Sequence, residues 1–226
     1  MKIYAVYIDQ LPGPDQFERM MAMVSDDKRK KVNRYRFPED ANRTLIGEVV
    51  IRHIIKKTFD LPNEQITFTE GRYGKPSAED LPDFHFNTSH SGKWIICGVG
   101  RRPIGVDVEK IKPINFDIAQ RFFSPAEHRD LLEKRESERL SYFYHLWTMK
   151  ESFIKLAGKG LSLPLDSFSV KLGEGGRASI ETPPDYPPCH LQVYEIDPGY
   201  KMAVCSESQD FPKDVVLLTY EDLLNG

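Results

Sequence analysis

The order of elements written along the chain recurs. KIYAVYI at the start reads as a strand, PEDANRTLIGEVVIRHIIKKTF (38–59) carries apolar residues at helical spacing, and QITFTE, DFHFNTSHS and KWIICGVG read as strands after it. A Gly-Arg-Arg-Pro joint at 100–103 follows, and the order begins again with IGVDVE as a strand. Next come a helical stretch from about Ile114 to Phe122, a helix start at SPAEHRDLL and a long helix from about Glu138 to Ala157. SFSVKL and ASIE then flank a glycine-rich hairpin turn, and HLQVYEI and KMAVCS flank DPGY. In each half one helix opens on a serine with an acid after it, at Ser25 and Ser124. The expected fold is α+β: two similar α/β halves in one chain, related by a pseudo-twofold, each a small, mainly antiparallel sheet packed with a long helix. The halves divide as 1–101 and 102–226.

Composition narrows the class. The 226 residues hold 31 basic and 34 acidic groups with ordinary apolar content, which excludes a disordered or fibrous chain. Asp9 and the prolines at 12 and 14 cut short the only apolar run near the start, so MKIYAVYIDQLPGP reads as a strand and not a signal peptide. No apolar run approaches the length of a membrane span. Cys97, Cys189 and Cys205 are odd in number and lack C-x-x-C spacing, which argues against a disulfide framework or structural zinc and for a cytoplasmic protein with reduced thiols. Residues 28–36 (KRKKVNRYR) place six basic groups in nine positions, ordinarily a solvated helix face. Lys28 and Lys31 are three apart, however, and together could grip one dianionic phosphate. A pI of 6.1 gives no footprint for nucleic acid.

The sharpest local feature is IGVDVEK (104–110), in which Asp107 and Glu109 are spaced by two and so share one face of a strand. Outward charges on an edge strand would look the same. On the long second helix, Leu140, Phe143, Tyr144, Trp147 and Ile154 form an apolar stripe with Glu151 near its centre and Lys155 at its edge. Tyr142, Leu146, Met149 and Phe153 make the opposite side apolar too, so the helix is enclosed on most sides. There an ordinary surface ion pair between Glu151 and Lys155 is the poorer explanation, and an unpaired carboxylate needs a cation. Two strand carboxylates and one helix carboxylate make an all-oxygen set suited to Mg²⁺, with positions left for water and phosphate. Lys150 lies off the Glu151 stripe and is expected at the surface or behind the site.

IGVDVEK followed some forty residues later by WTMKESFIK (147–155) resembles the paired signature of the 4'-phosphopantetheinyl transferases, and SDDKRKKVNRYRFPEDANRTLIGEVVIR, YGKP, FNTSHSGKW and RFFSPAE look like the longer, monomeric members serving peptide and polyketide synthases. The resemblance implies coenzyme A as co-substrate, Mg²⁺, and transfer of phosphopantetheine to a serine of an apo peptidyl or acyl carrier protein. It implies Asp107, Glu109 and Glu151 as metal ligands, Glu151 also as base, and Lys155 against the pyrophosphate. Lys28, Lys31, Thr44 and His90 match positions holding the 3'-phosphate. Gly74, Lys75 and Pro76 in YGKP match the loop lining adenine, with Lys75 near phosphate, and Ser89 and His90 give short polar contacts. The carrier's helix is expected to dock beside Lys110–Phe122, and the protein to act as a monomer, without nucleic acid or membrane. From the carboxylates and lysines alone, a metal-dependent hydrolase of nucleotide pyrophosphates, or a non-catalytic module binding coenzyme A or a carrier, stands beside the transferase.

Overall fold

The computed structural model describes residues 1–173 and 177–225. The first half runs β1 (Lys2–Tyr7), α1 (Pro14–Met23), α2 (Asp26–Val32), α3 (Pro38–Phe59), β2 (Phe68–Glu70), β3 (Pro76–Ala78), β4 (His85–Ser91) and β5 (Trp94–Gly100). The second runs β6 (Ile104–Lys110), α4 (Asp117–Phe122), α5 (Pro125–Glu133), α6 (Glu136–Ala157), β7 (Ser169–Leu172), β8 (Arg177–Glu181), β9 (His190–Tyr194) and β10 (Tyr200–Ser206), followed by β11 (Val216–Leu218) and α7 (Tyr220–Asn225). The hairpin turn expected between β7 and β8 falls on residues 174–176, outside the described residues.

The two halves share one connectivity. A strand (β1 or β6) leads through shorter helices to a 22-residue helix (α3 or α6), and a later hairpin (β4–β5 or β9–β10) places its second strand antiparallel to the first. The sheets are ordered β11-β1-β5-β4 and β6-β10-β9-β8-β7, with β2 and β3 forming a separate ribbon.

Alternation along the strands builds the layers. Ile3 and Ala5 of β1 and Ile96 of β5 face Ile104, Val106 and Met202, forming a core between the two sheets. The opposite faces turn to the helices: Val6 and Cys97 join α3 through Leu45 and Val49, while Ala203 and Cys205 join α6 through Met149 and Phe153. Each large apolar side chain so buried contributes about 1.5–3 kcal/mol. Helix α6 lies directly on β6, because a Cβ at Gly105 would overlap the backbone of Ser152 and Leu156. A side chain there would push the helix off the strand.

Three features depart from the sequence expectations. QITFTE is a strand only from Phe68; Asn63–Gln65 forms a single 3-10 turn that places Arg52 Nη1 on the Ile66 carbonyl at 3.1 Å. The segment 216–225 does not stay with the second half: β11 pairs in parallel with β1, and Leu223 of α7 is buried in the α3 core. Lys150 is neither superficial nor peripheral. It is fully buried, and its Nζ donates to both Glu127 oxygens at 2.6 and 2.7 Å and to the Phe168 carbonyl at 2.7 Å. Both sides of α6 are apolar, and the more enclosed one carries Leu146, Lys150 and Phe153; Glu151, placed by its stripe at a buried centre, stands half-buried at the rim.

Candidate active site

Strand β6 stands at the edge of its sheet, and its outward N–H groups need acceptors. Strand β4 of the first half supplies them with side chains. The N–H of Val106 donates to Asn87 Oδ1 (2.9 Å), that of Val108 to Ser89 Oγ (3.3 Å) and that of Lys110 to Ser91 Oγ (3.1 Å). Three polar side chains at spacing two thus do the work of a strand, joining the halves. The intervening residues, Thr88 and His90, line a cleft on the other side of β4.

Asp107 and Glu109 share the β6 face that carries Gly105, and so point toward α6. Asp107 is only 3% exposed; its Oδ1 accepts from Ser89 Oγ at 2.9 Å and from Lys155 Nζ at 2.7 Å. Lys155 also donates to Ser89 Oγ at 2.8 Å, closing a triangle. The other oxygen, Asp107 Oδ2, is buried and has no hydrogen-bond partner among the described residues. Glu109 Oε2 accepts from Ser91 Oγ at 2.7 Å. Burial raises the pKa of Glu109 and of Glu151; the charge of Asp107 raises both further, and Glu109 adds to the effect on Glu151. Lys155 thus stands among three carboxylates, two of which hold their protons more tightly than a free carboxylate does.

Among the described residues no group of three or more His, Cys, Asp or Glu forms a ready-made metal cage. The donor set nevertheless fits a hard divalent cation: all-oxygen, anionic in excess, and with one buried carboxylate oxygen left unsatisfied.

Beside the carboxylates lies a recess of about 290 Å³ lined by Tyr73, Gly74, Pro76, Glu151, Lys155 and Gly158, drawing on both halves. Pro76 also lines a larger cleft of about 650 Å³, whose wall brings together Lys28, Lys31, Thr44 and His90. Sequence reasoning missed Arg43 in that wall; its guanidinium bonds Asp40 at 2.5 Å and the Gly92 carbonyl at 3.0 Å. Lys28 reaches Glu48 at 3.1 Å, and Glu48 is also held by Arg52 at 2.9 Å. The His90 ring is solvent-exposed, yet partial desolvation by the surrounding walls lowers its pKa, with Arg43 and Lys155 adding to the effect.

Two residues expected at the ligand also make contacts within the protein. Lys75 Nζ donates to the carbonyls of Leu156 (3.0 Å) and Ile104 (3.2 Å), so it clamps the YGKP loop to α6 and β6, and burial lowers its pKa to about 8. The C-terminal carbonyls of α6 attract its ammonium. The Ser89 hydroxyl gives its one proton to Asp107 while accepting from Lys155 and Val108. Behind the site, Glu127 joins three elements. Its carboxylate completes a capping box with Ser124, accepts from Val170 N–H at 2.7 Å and holds Lys150. SPAE signalled the box; nothing local signalled the partner on α6.

Family comparisons match both halves. The 4'-phosphopantetheinyl transferase superfamily model matches residues 103–205, and a model of the N-terminal part of 4'-phosphopantetheinyl transferase matches residues 11–99. The 4'-phosphopantetheinyl transferase Sfp of Bacillus subtilis (strain 168) is 53% identical over 224 residues, covering 99% of this chain and 100% of that protein. The 4'-phosphopantetheinyl transferase psf-1 of Bacillus pumilus is 47% identical, covering 100% of this chain and 98% of its own. The 4'-phosphopantetheinyl transferase gsp of Aneurinibacillus migulanus is 36% identical, covering 84% and 79% respectively. With both halves matched and relatives aligned over nearly its whole length, the chain belongs to the 4'-phosphopantetheinyl transferase superfamily.

Proposed function

We propose that this protein transfers the 4'-phosphopantetheine arm of coenzyme A to a serine hydroxyl of an apo peptidyl or acyl carrier protein, releasing adenosine 3',5'-bisphosphate. The observation that carries this reading is the half-satisfied Asp107: paired with Lys155 on one oxygen and unsatisfied on the other, near a cleft of about 650 Å³ walled in part by Lys28, Lys31 and Arg43. In this reading the first half, 1–101, receives the adenosine end. Lys28, Lys31, Thr44 and His90 meet the 3'-phosphate, and Gly74 and Pro76 line the adenine. Asp107, Glu109 and Glu151 would hold Mg²⁺, which supplies charge neutralisation at the pyrophosphate. Lys155 stabilises charge on the departing phosphate oxygens. Glu151, more basic than an ordinary carboxylate, takes the serine proton.

The carrier meets the surface after β6. Phe116 and Ile118 are 37% and 38% exposed there, between the exposed cations of Lys110, Lys112 and Arg121, a mixture suited to an acidic amphipathic helix. Both halves of the cleft come from one chain, so a monomer suffices. Among the described residues no helix is long and apolar enough to cross a membrane, and the three cysteines are free and buried, which suits a reducing cytoplasm.

The test is to incubate the protein with coenzyme A, Mg²⁺ and an apo carrier domain and to weigh the carrier. Gain of one phosphopantetheine is the expected result. Bisphosphate release without that gain would instead assign a pyrophosphate hydrolase, and binding of coenzyme A without turnover a binding module.

A further inference from the structure

We propose that Ser91 is a positioning residue that holds Glu109 in its metal-binding orientation. The inference deepens the proposed function and rests on its assignment of Asp107, Glu109 and Glu151 to a divalent cation. The Ser91 Oγ atom is fixed from two directions. It accepts the N–H of Lys110 at 3.1 Å, so its single proton is free for Glu109 Oε2, 2.7 Å away. One hydroxyl therefore grips the backbone of β6 and, one residue earlier, the side chain of the same strand. The arrangement repeats that of Ser89, which takes the N–H of Val108 and gives its proton to Asp107. Two serines spaced by two read two acids spaced by two.

The repetition has one difference. Asp107 also carries an ammonium, that of Lys155, whereas the Ser91 bond to Glu109 is from a neutral donor. A neutral donor orients a carboxylate without cancelling its charge, which stays available to a cation. A lysine in its place would compete with the metal. Donors of this kind, standing one step behind a metal ligand, are typically worth 10–100-fold in metal affinity.

The experiment is binding of Mn²⁺ to the full chain, read by electron paramagnetic resonance with and without coenzyme A, together with the Mg²⁺ concentration giving half-maximal transfer. Ser91→Ala is expected to weaken Mn²⁺ binding about 10-fold and to raise the Mg²⁺ requirement in the same proportion. Ser91→Thr, which keeps the hydroxyl, should restore both. If Ser91→Ala does not fold, Ser91→Cys, with its weak donor, takes its place. Mn²⁺ binding unchanged in Ser91→Ala but abolished in Asp107→Ala would overturn the positioning role and leave the metal assignment standing. Binding unchanged in both would remove the metal assignment itself, and the role of Ser91 with it.

Discussion

The two halves make the same strand-to-helix contact in opposite chemistry. In the first, β1 sends Val6 into the α3 core, among Leu45 and Val49. In the second, the equivalent strand β6 turns Gly105, Asp107 and Glu109 toward α6, where Glu151 and Lys155 wait. The connectivity tolerates this because these carboxylates sit at the joint between the halves. There β4 supplies hydroxyls, and solvent reaches the rim. Away from the joint, the second half buries the Glu127–Lys150 pair with each polar atom engaged, and Lys201 against Glu195. A fold of this kind can place a reactive centre in a strand–helix interface when a neighbouring sheet edge is free to solvate it.

Breaking the comparison has graded consequences for stability. The largest follows from giving the first half the charge of the second. Val6→Asp buries a carboxylate with no Ser89 or Lys155 to meet it, at a cost of about 4 kcal/mol or more. Denaturant melts should show loss of cooperative unfolding, and a stable Val6→Asp protein would mean that position alone does not separate the halves.

Next in size is an effect present in both. Each long helix holds a histidine whose buried Nδ1 lacks a hydrogen-bond partner among the described residues, His53 in α3 and His145 in α6. Burial depresses both pKa values; for His145, with the Lys201 ammonium opposing protonation and Glu195 favouring it, the value falls to about 4. The folded state refuses a proton that the unfolded chain accepts below about 6.5, so stability is lost as pH falls from there toward 4. The loss attributable to His145 is of order 2 kcal/mol. His145→Gln should flatten that acid limb in urea titrations at stepped pH, and His53→Gln should flatten it less. Equal effects would erase the distinction.

The smallest change in stability accompanies the loss of function. Glu151 has its pKa raised in the fold, so its contribution to stability is present when protonated and is lost as pH rises through the raised value. Glu151→Gln should therefore raise the melting temperature of the metal-free protein at neutral pH. Its transfer rate should fall on the order of 10³-fold. Unchanged transfer would remove Glu151 from the reaction, and a lowered melting temperature would contradict the repulsion among the carboxylates.

Much of this was legible along the chain. The span of α3 was read to the residue, α6 to within its first turn, and β4, β5 and β6 by their alternation, because hydrophobic periodicity is a local signal. Lys28, Lys31, Thr44 and His90, singled out by the resemblance, line one cleft. What escaped was non-local. Periodicity marked two apolar sides of α6 but not which was the deeper, so the fully buried charge was Lys150 and not Glu151. No pattern in NTSHS says that its serines will stand in for a strand beside β6, and none in YGKP says that its lysine will seek helix carbonyls. The return of β11 to β1 is set by a pairing between distant parts of the chain.

That return has a consequence for the order of events on the ribosome. Strand β1 is made long before β11, yet its flanks are occupied by β5 and by β11, with Tyr4 opposite Val216. The first sheet therefore waits, one edge bare, while the whole second half is synthesised and threaded past it. Closing so long a loop is slow, and an open edge invites pairing with other chains in the meantime. Nascent chains halted before residue 216 should be the aggregation-prone form of this protein.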